Sequence, residues 1–184
     1  MERTINDLIK EGIINDLEIT VLNCTDQDLT SLDGIEKLEN LEELDCSDNS
    51  LESLEGLKKL TKIHNLAACN NEIRSLDVLI NFVNLKGLYV LNNKLRNLKG
   101  IERCIKLQDL DCSNNELESL KGIENFTNLM NIDFDDNPCS CKYSGLRTQE
   151  IVQKIMIEMH LKPNDDLRGA ASISDTGLFD FKIK

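Results

Sequence analysis

The sequence predicts an α/β solenoid, an arc with a parallel concave sheet of about six strands, a 3₁₀ or irregular convex side and helical caps. Three observations predict this fold. A 22-residue period covers residues 19 to about 137, apolar residues recur at fixed positions of the period, and asparagine occupies position 9 in all but the first unit. One such unit cannot bury its own apolar face, whereas stacked units form a continuous core.

The strands are predicted from the first third of each unit. The complete units are 19–40, 41–62, 63–84, 85–106 and 107–128, and a partial unit covers 129–137. Around positions 3 to 7 apolar and polar residues alternate, which is the period-2 signature of a short strand with one buried face. Positions 4 and 6 point inward, as with Leu44 and Cys46. From position 11 the apolar spacing becomes three, which favours 3₁₀ or extended turns.

Two further columns predict how the chain leaves the strand and turns back. Position 9 is asparagine in five units and Gln27 in the first. A primary amide there can satisfy backbone groups of its own and the adjacent coils. Position 16 is glycine in four of the five complete units, and Val78 is the exception. Glycine at this position predicts a tight corner that a Cβ atom would obstruct.

The ends of the solenoid need caps, because a terminal coil exposes its core face. Residues 1–18 carry apolar side chains at helix-compatible spacings and form the predicted N-terminal cap, with one or two short helices. Pro138 breaks the repeat, and residues 138–162 form the predicted C-terminal cap, with an amphipathic helix over 147–161. For the tail, residues 163–184, a loose tail and a short packed strand remain alternatives.

The repeated pattern L-x-x-L-x-C/L-x-x-N-x-L-x-x-L resembles the leucine-rich repeat. The 22-residue length and the stretch SLDGIEKLENLEEL at residues 31–44 are most similar to the Sds22 type of phosphatase regulatory subunits. Internalin repeats have a similar period. The resemblance implies a protein-binding module, and its Sds22-like version implies that the inner strand surface contacts a phosphatase catalytic subunit.

Charge and motif content argue against several classes of function. The net charge is −12, so phosphate backbones and anionic membrane surfaces would repel the chain. No nucleophile elbow, phosphate-binding glycine loop or histidine pair is present, so we predict neither an enzyme nor a cofactor. Most of the seven cysteines fall at core positions. The pair Cys139 and Cys141 lacks two further ligands nearby, so no metal site is predicted.

Side chains at positions 3, 5 and 7 of the strands point away from the core and form the candidate protein-binding surface. It combines two acidic groups with a less polar centre in the third and fourth units, to which we expect apolar exposure to be confined. Tyrosine is enriched at interface hot spots. The candidate residues are Tyr89, Leu91, Ala67, Cys69, Glu43, Asp45, Asp109, Asp111, Asp133 and Asp135, with His64 on the rim.

The function predicted from these features is binding of a partner protein with a basic or mixed basic and apolar surface, because a negative field speeds encounter with such a partner. The first residues lack a signal-peptide pattern, so a cytoplasmic or nuclear location is expected. Three alternatives remain open at this point. They are a solvated acidic face without a partner, a secreted or surface-exposed internalin-like adhesin or effector module, and a structural subunit of a larger complex.

Overall fold

The computed structural model describes residues 2–158, and within them six parallel strands form one sheet in chain order. Neighbouring strands pair each residue with the one 22 positions later, as Leu66 pairs with Leu88. The predicted solenoid with six parallel strands is therefore confirmed. The strands are β1 (Val21–Asn23), β2 (Glu43–Asp45), β3 (Asn65–Ala67), β4 (Gly87–Tyr89), β5 (Asp109–Asp111) and β6 (Asn131–Asp133).

The position 9 amides fasten each coil to the one before it. Asn93 Oδ1 accepts the backbone N–H of Ile73 at 2.9 Å. Its Nδ2 donates to the carbonyls of Ala68, Val90 and Leu91 at 2.9, 3.1 and 3.2 Å. The predicted role of this column is confirmed, since the same bonding to the preceding coil and to the amide's own coil recurs at Asn49, Asn71, Asn115 and Asn137.

The convex side uses two kinds of corner at position 16. Gly100 has φ +106°, and a Cβ there would lie 2.1 Å from the carbonyl oxygen of Leu76. The first and fifth coils have left-handed glycines at the same position. In the second and third coils, position 16 instead belongs to the 3₁₀ helices Glu55–Lys59 and Asp77–Asn81. A left-handed residue is not needed in these two coils, which is why Val78 is accommodated in the third. The predicted steric role of glycine holds at Gly56, where a Cβ would lie 2.9 Å from the Cβ and the carbonyl oxygen of Leu32.

A short helix lies at each end of the described chain. Helix α1 (Ile5–Lys10) buries Ile5 and Leu8 against the first coil. Two apolar residues that the spacing assigns to this cap, Ile13 and Leu17, are 54% and 40% exposed. Further 3₁₀ turns occur at Ile35–Lys37 on the convex side and at Ser140–Lys142 in the C-terminal cap.

The C-terminal helix α2 (Thr148–Glu158) falls within the predicted range 147–161. Its buried side chains join the core beside the sixth strand and are Ile151, Val152 and Ile155. The tail, residues 163–184, lies outside the described residues. Neither helix of the described chain has the length and apolar character that crossing a bilayer requires.

Candidate protein-binding surface

Two outward columns of side chains cross the sheet at positions 3 and 5 of the coils. Strand register makes each member the direct neighbour of the next, about 4.8 Å away in the hydrogen-bonding direction. The position 3 column is Val21, Glu43, Asn65, Gly87, Asp109 and Asn131. The position 5 column is Asn23, Asp45, Ala67, Tyr89, Asp111 and Asp133. Tyr89 therefore sits at the centre, with carboxylates on the next strand.

The ring of Tyr89 leans back along its own strand over Gly87. Its Cε2 and hydroxyl oxygen lie 3.1 and 3.4 Å from the place where a Cβ of residue 87 would stand. Gly87 is buried as a result, and the ring is half-buried. Burial raises the pKa of the Tyr89 phenol to about 12, with further contributions from the charges of Asp109 and Asp111. The ring thus occupies a fixed place beside two carboxylates.

The position 5 carboxylates also have a local structural role. Asp111 Oδ1 accepts the N–H and the hydroxyl of Ser113, at 3.1 and 2.6 Å. Asp45 and Asp133 each accept the N–H two residues later, at 3.0 and 3.1 Å, and Asn23 does the same at 3.0 Å. Sequence reasoning interpreted these residues as charges only. The signal it missed is that position 5 is Asp or Asn in four of six strands.

The structure changes the predicted apolar centre. Ala67 lies on the outward side of the sheet but is only 6% exposed, so it adds little surface. Cys69 and Leu91 are half-buried beside Tyr89, and burial raises the pKa of the Cys69 thiol to about 11. The expectation that apolar exposure is confined to the third and fourth coils is wrong, because Val21 on the edge strand β1 is 50% exposed.

The remaining predicted residues lie on the flanks and the rim. Glu43 flanks the centre on the N-terminal side, next to Asn65 in the register. Asp133 and Asp135 are exposed on the C-terminal side and also line a cleft of about 480 Å³ beside the C-terminal cap. His64 precedes β3, with its Nε2 3.8 Å from a carboxylate oxygen of Glu42. Its buried Nδ1 has no hydrogen-bond partner among residues 2–158.

A further column, at position 8, borders the strand ends and was not predicted as a structural element. Its members have φ between 50° and 55°, a left-handed conformation that Asp and Asn tolerate. Their exposed side chains form a ladder in which Asn70 donates to Asp48, Asn92 to Asn70 and Asn114 to Asn92, at 2.7 to 2.8 Å. The sequence signal is the exclusive use of Asp and Asn at this position, in Asp26, Asp48, Asn70, Asn92, Asn114 and Asp136.

Metal-binding arrangements are not found in the part of the chain that the structure describes. No group of three or more His, Cys, Asp or Glu side chains within residues 2–158 could hold a metal ion. Of the C-x-C pair, Cys139 is buried in the C-terminal core and Cys141 is exposed. The arrangement that the concave face does provide is an acidic surface around a half-buried aromatic ring.

Comparison with known proteins agrees with this architecture. Residues 18–59 match the family model of leucine rich repeats (2 copies). An internalin (InlF) from Listeria monocytogenes is 23% identical with a TM-score of 0.54, over 72% of this chain and 48% of that chain. Internalin C2 (InlC2) from the same organism is 27% identical with a TM-score of 0.52, over 68% of this chain and 69% of that chain. No curated protein matches the chain. The chain spans about half the length of InlF, and its solenoid has the fold of leucine-rich repeats, which residues 18–59 also match in sequence.

Proposed function

We propose that this chain is a non-enzymatic protein-binding module whose concave face binds a partner protein with a basic or mixed basic and apolar surface. One observation carries the proposal. Tyr89 and Leu91 form a partly exposed apolar centre between acidic flanks, and no lysine or arginine occupies positions 3, 5 or 7 of any strand. Tyrosine at the centre of a patch, with charged groups at its rim, has the composition of an interface hot spot.

The distribution of charge supports this face over the convex one. Lysines and arginines such as Lys58, Lys59 and Arg103 are exposed on the convex turns. Charges separated by more than about 8–10 Å are screened at physiological salt, so an approaching protein responds to the near face. A basic partner is therefore drawn to the concave side.

The proposal predicts a large effect of the central ring on affinity. Once the partner has been recovered by affinity purification from the native cell and identified, Tyr89→Ala weakens the purified complex by about 2 kcal/mol or more, the hot-spot scale. The ring loses a desolvated contact, and the facing surface of the partner is left unpaired. Isothermal titration calorimetry measures the effect.

The matched control is Lys58→Glu on the convex turn, at an exposed lysine with no ion pair among residues 2–158. It should leave the affinity unchanged. If Lys58→Glu abolishes binding while Tyr89→Ala does not, the partner binds the back of the solenoid and the proposal is wrong.

A more specific version of this function is regulation of a protein phosphatase in the cytoplasm or nucleus, supported by the Sds22-like stretch at residues 31–44. It requires that the purified chain form a stable complex with a phosphatase catalytic subunit and change its activity. A mixture that elutes as two separate species in size-exclusion chromatography, at micromolar concentration, contradicts this version alone.

A second candidate is an internalin-like adhesin or effector module, and the observation that favours it is the structural likeness to two internalins. Cell fractionation separates the two candidates. Recovery of the chain at the cell surface or in the medium supports the adhesin, whereas recovery in the cytoplasm or nucleus supports the adaptor.

A further inference from the structure

We propose that the partner places an arginine side chain against the ring of Tyr89, with its guanidinium held by the carboxylates of Asp109 and Asp111. The proposal rests on the proposed function, because it names the group that the concave face recognises. It depends on three features of the fourth and fifth coils, namely the place of the ring, the fixation of the carboxylates and the chemistry of their combination.

The place of the ring is set by the glycine two residues before it. A Cβ at residue 87 would stand 3.1 Å from Tyr89 Cε2 and 2.8 Å from Asn65 Oδ1. Glycine inside a strand commonly marks a close approach, and here the ring itself makes that approach. On the neighbouring strand β3, the residue opposite Tyr89 is Ala67, whose side chain is a single methyl group. On the side of β3, the residue directly opposite Tyr89 therefore contributes only a methyl group beside the exposed part of the ring.

The carboxylates on the other side are held in place by hydrogen bonds to Oδ1. Asn131 Nδ2 donates to Asp109 Oδ1 at 2.6 Å, and the Ser113 hydroxyl donates to Asp111 Oδ1 at 2.6 Å. Strand register puts Asp109 opposite Gly87 and Asp111 opposite Tyr89. An ionised carboxylate has about four acceptor sites, so each retains capacity for a guanidinium.

Arginine is the side chain that suits this combination. A planar guanidinium stacks on an aromatic ring and donates to carboxylates at the same time. Lysine offers a compact and more strongly hydrated charge that cannot stack, and a purely apolar group would desolvate two carboxylates without replacing their hydrogen bonds. The negative charges that raise the pKa of the phenol act in the same direction, because they attract a cation to the ring.

The test uses a small probe whose binding does not depend on the identity of the partner. Nα-acetylarginine amide is titrated into the full chain, and the ring-proton signals of Tyr89 are followed by NMR, with assignment from the Tyr89→Leu variant. A saturable shift is expected in the millimolar range. Nα-acetylcitrulline amide, which is neutral and nearly isosteric, should bind at least about tenfold more weakly because the charge-assisted bonds are lost.

Four variants make the result specific to this site. Asp109→Asn and Asp111→Asn should each weaken binding of the arginine probe several-fold, whereas Asn92→Gly on the exposed ladder should not change it. In Tyr89→Leu, the shifts that arginine causes in the backbone amides of residues 87–91 should disappear. Equal binding of arginine and citrulline overturns the proposal, and so do unchanged amide shifts in Tyr89→Leu.

Failure of the arginine proposal can be distinguished from failure of the proposed function. If the arginine probe does not bind but Tyr89→Ala weakens the partner complex, the concave interface stands and the arginine assignment is wrong. If Tyr89→Ala leaves the partner complex intact, the concave interface is wrong as well. A folded-state check by circular dichroism on each variant ensures that loss of binding reports the site rather than unfolding.

Discussion

The inward and outward sides of the same strands follow different rules. On the inward side, position 4 is leucine in five strands and Ile132 in the last, and each of the five leucines is at most 6% exposed. On the outward side, position 5 carries Asn, Asp, Ala, Tyr and two more Asp. Stacking imposes the same environment on every inward side chain, whereas the outward side chains point away from the core and are not constrained by it. The constant columns therefore encode the fold, and the proposed binding surface lies where the outward columns depart from constancy.

The largest effect is expected from breaking the column of buried position 9 amides at Asn93. Asn93→Ala removes the acceptor of the Ile73 N–H and the two N–H donors that three backbone carbonyls share, in a side chain that is 8% exposed. The loss of these bonds, together with the cost of leaving the buried Ile73 N–H without its acceptor, should lower the free energy of unfolding by about 4 kcal/mol. Urea denaturation followed by circular dichroism measures it.

The adjacent residue supplies the control for that change. Asn92→Gly removes two hydrogen bonds of the exposed ladder at position 8, those with Asn70 and Asn114, and keeps the left-handed backbone, φ 53°. We expect a loss below about 1 kcal/mol, because an exposed donor and acceptor exchange their partner for water. Equal losses from Asn92→Gly and Asn93→Ala would contradict the difference between the two columns.

The next largest effect is expected at the convex corner of the fourth coil, where the preceding coil leaves no space for a Cβ at Gly100. Gly100→Ala introduces a methyl group 2.1 Å from the Leu76 carbonyl oxygen at φ +106° and should destabilise the fold by about 3 kcal/mol. Gly12→Ala also has positive φ, +74°, but meets nothing within 4 Å, so about 1 kcal/mol is expected. Thermal and urea unfolding of the two variants separate steric overlap from backbone preference.

The solenoid could be predicted from the sequence because every stacked unit needs apolar side chains and a buried amide at the same positions. Prediction failed where a detail depends on particular neighbours. The column of glycines does not distinguish the left-handed corners of three coils from the 3₁₀ paths of the second and third. The place of the Tyr89 ring depends on Gly87, two residues earlier in the same strand, and a column-by-column comparison does not connect them.

The local hydrogen bonds of the outward side chains can be predicted from the residue types at positions 5 and 8, which the sequence analysis treated only as charged or polar. Asp and Asn alone fill position 8, and they dominate position 5. Both patterns follow from side chains that bond the nearby backbone or tolerate a left-handed residue. Counting them purely as acidic residues overstates the charge committed to a partner, because Asp45, Asp111 and Asp133 also fasten the end of their own strands.

An alkaline titration tests the inward cysteines. Burial, with a smaller effect of Asp45, raises the pKa of the Cys24 thiol to about 12 from its ordinary value of 9.0. An acid whose pKa is raised by folding stabilises the protein fully below the pKa of the unfolded state, and this stability is lost as pH rises toward the folded pKa. At about pH 10.5, Cys24 alone should account for a loss of about 2 kcal/mol.

Unfolding curves between about pH 8 and 10.5 check this, using Cys24→Ala and the exposed Cys141→Ala as a matched pair. The stability of Cys24→Ala should fall less steeply with pH, while Cys141→Ala should keep the slope of the natural chain. Identical slopes in all three proteins would mean that the position 6 thiol at Cys24 is not buried in solution.

The smallest effect on stability is expected at Asp111, where the outward side combines a local bond with a charge. Asp111→Asn keeps an Oδ1 acceptor for the Ser113 N–H, as Asn23 does for the equivalent bond in the first coil, so stability should change by less than about 0.5 kcal/mol. Association with a basic partner should slow about two- to threefold at low salt and approach the natural rate at high salt, because exposed charges are screened. Stopped-flow association rates across a salt series measure this, and a slowing that persists at high salt would show that the Asp111 charge does not act on association by steering alone.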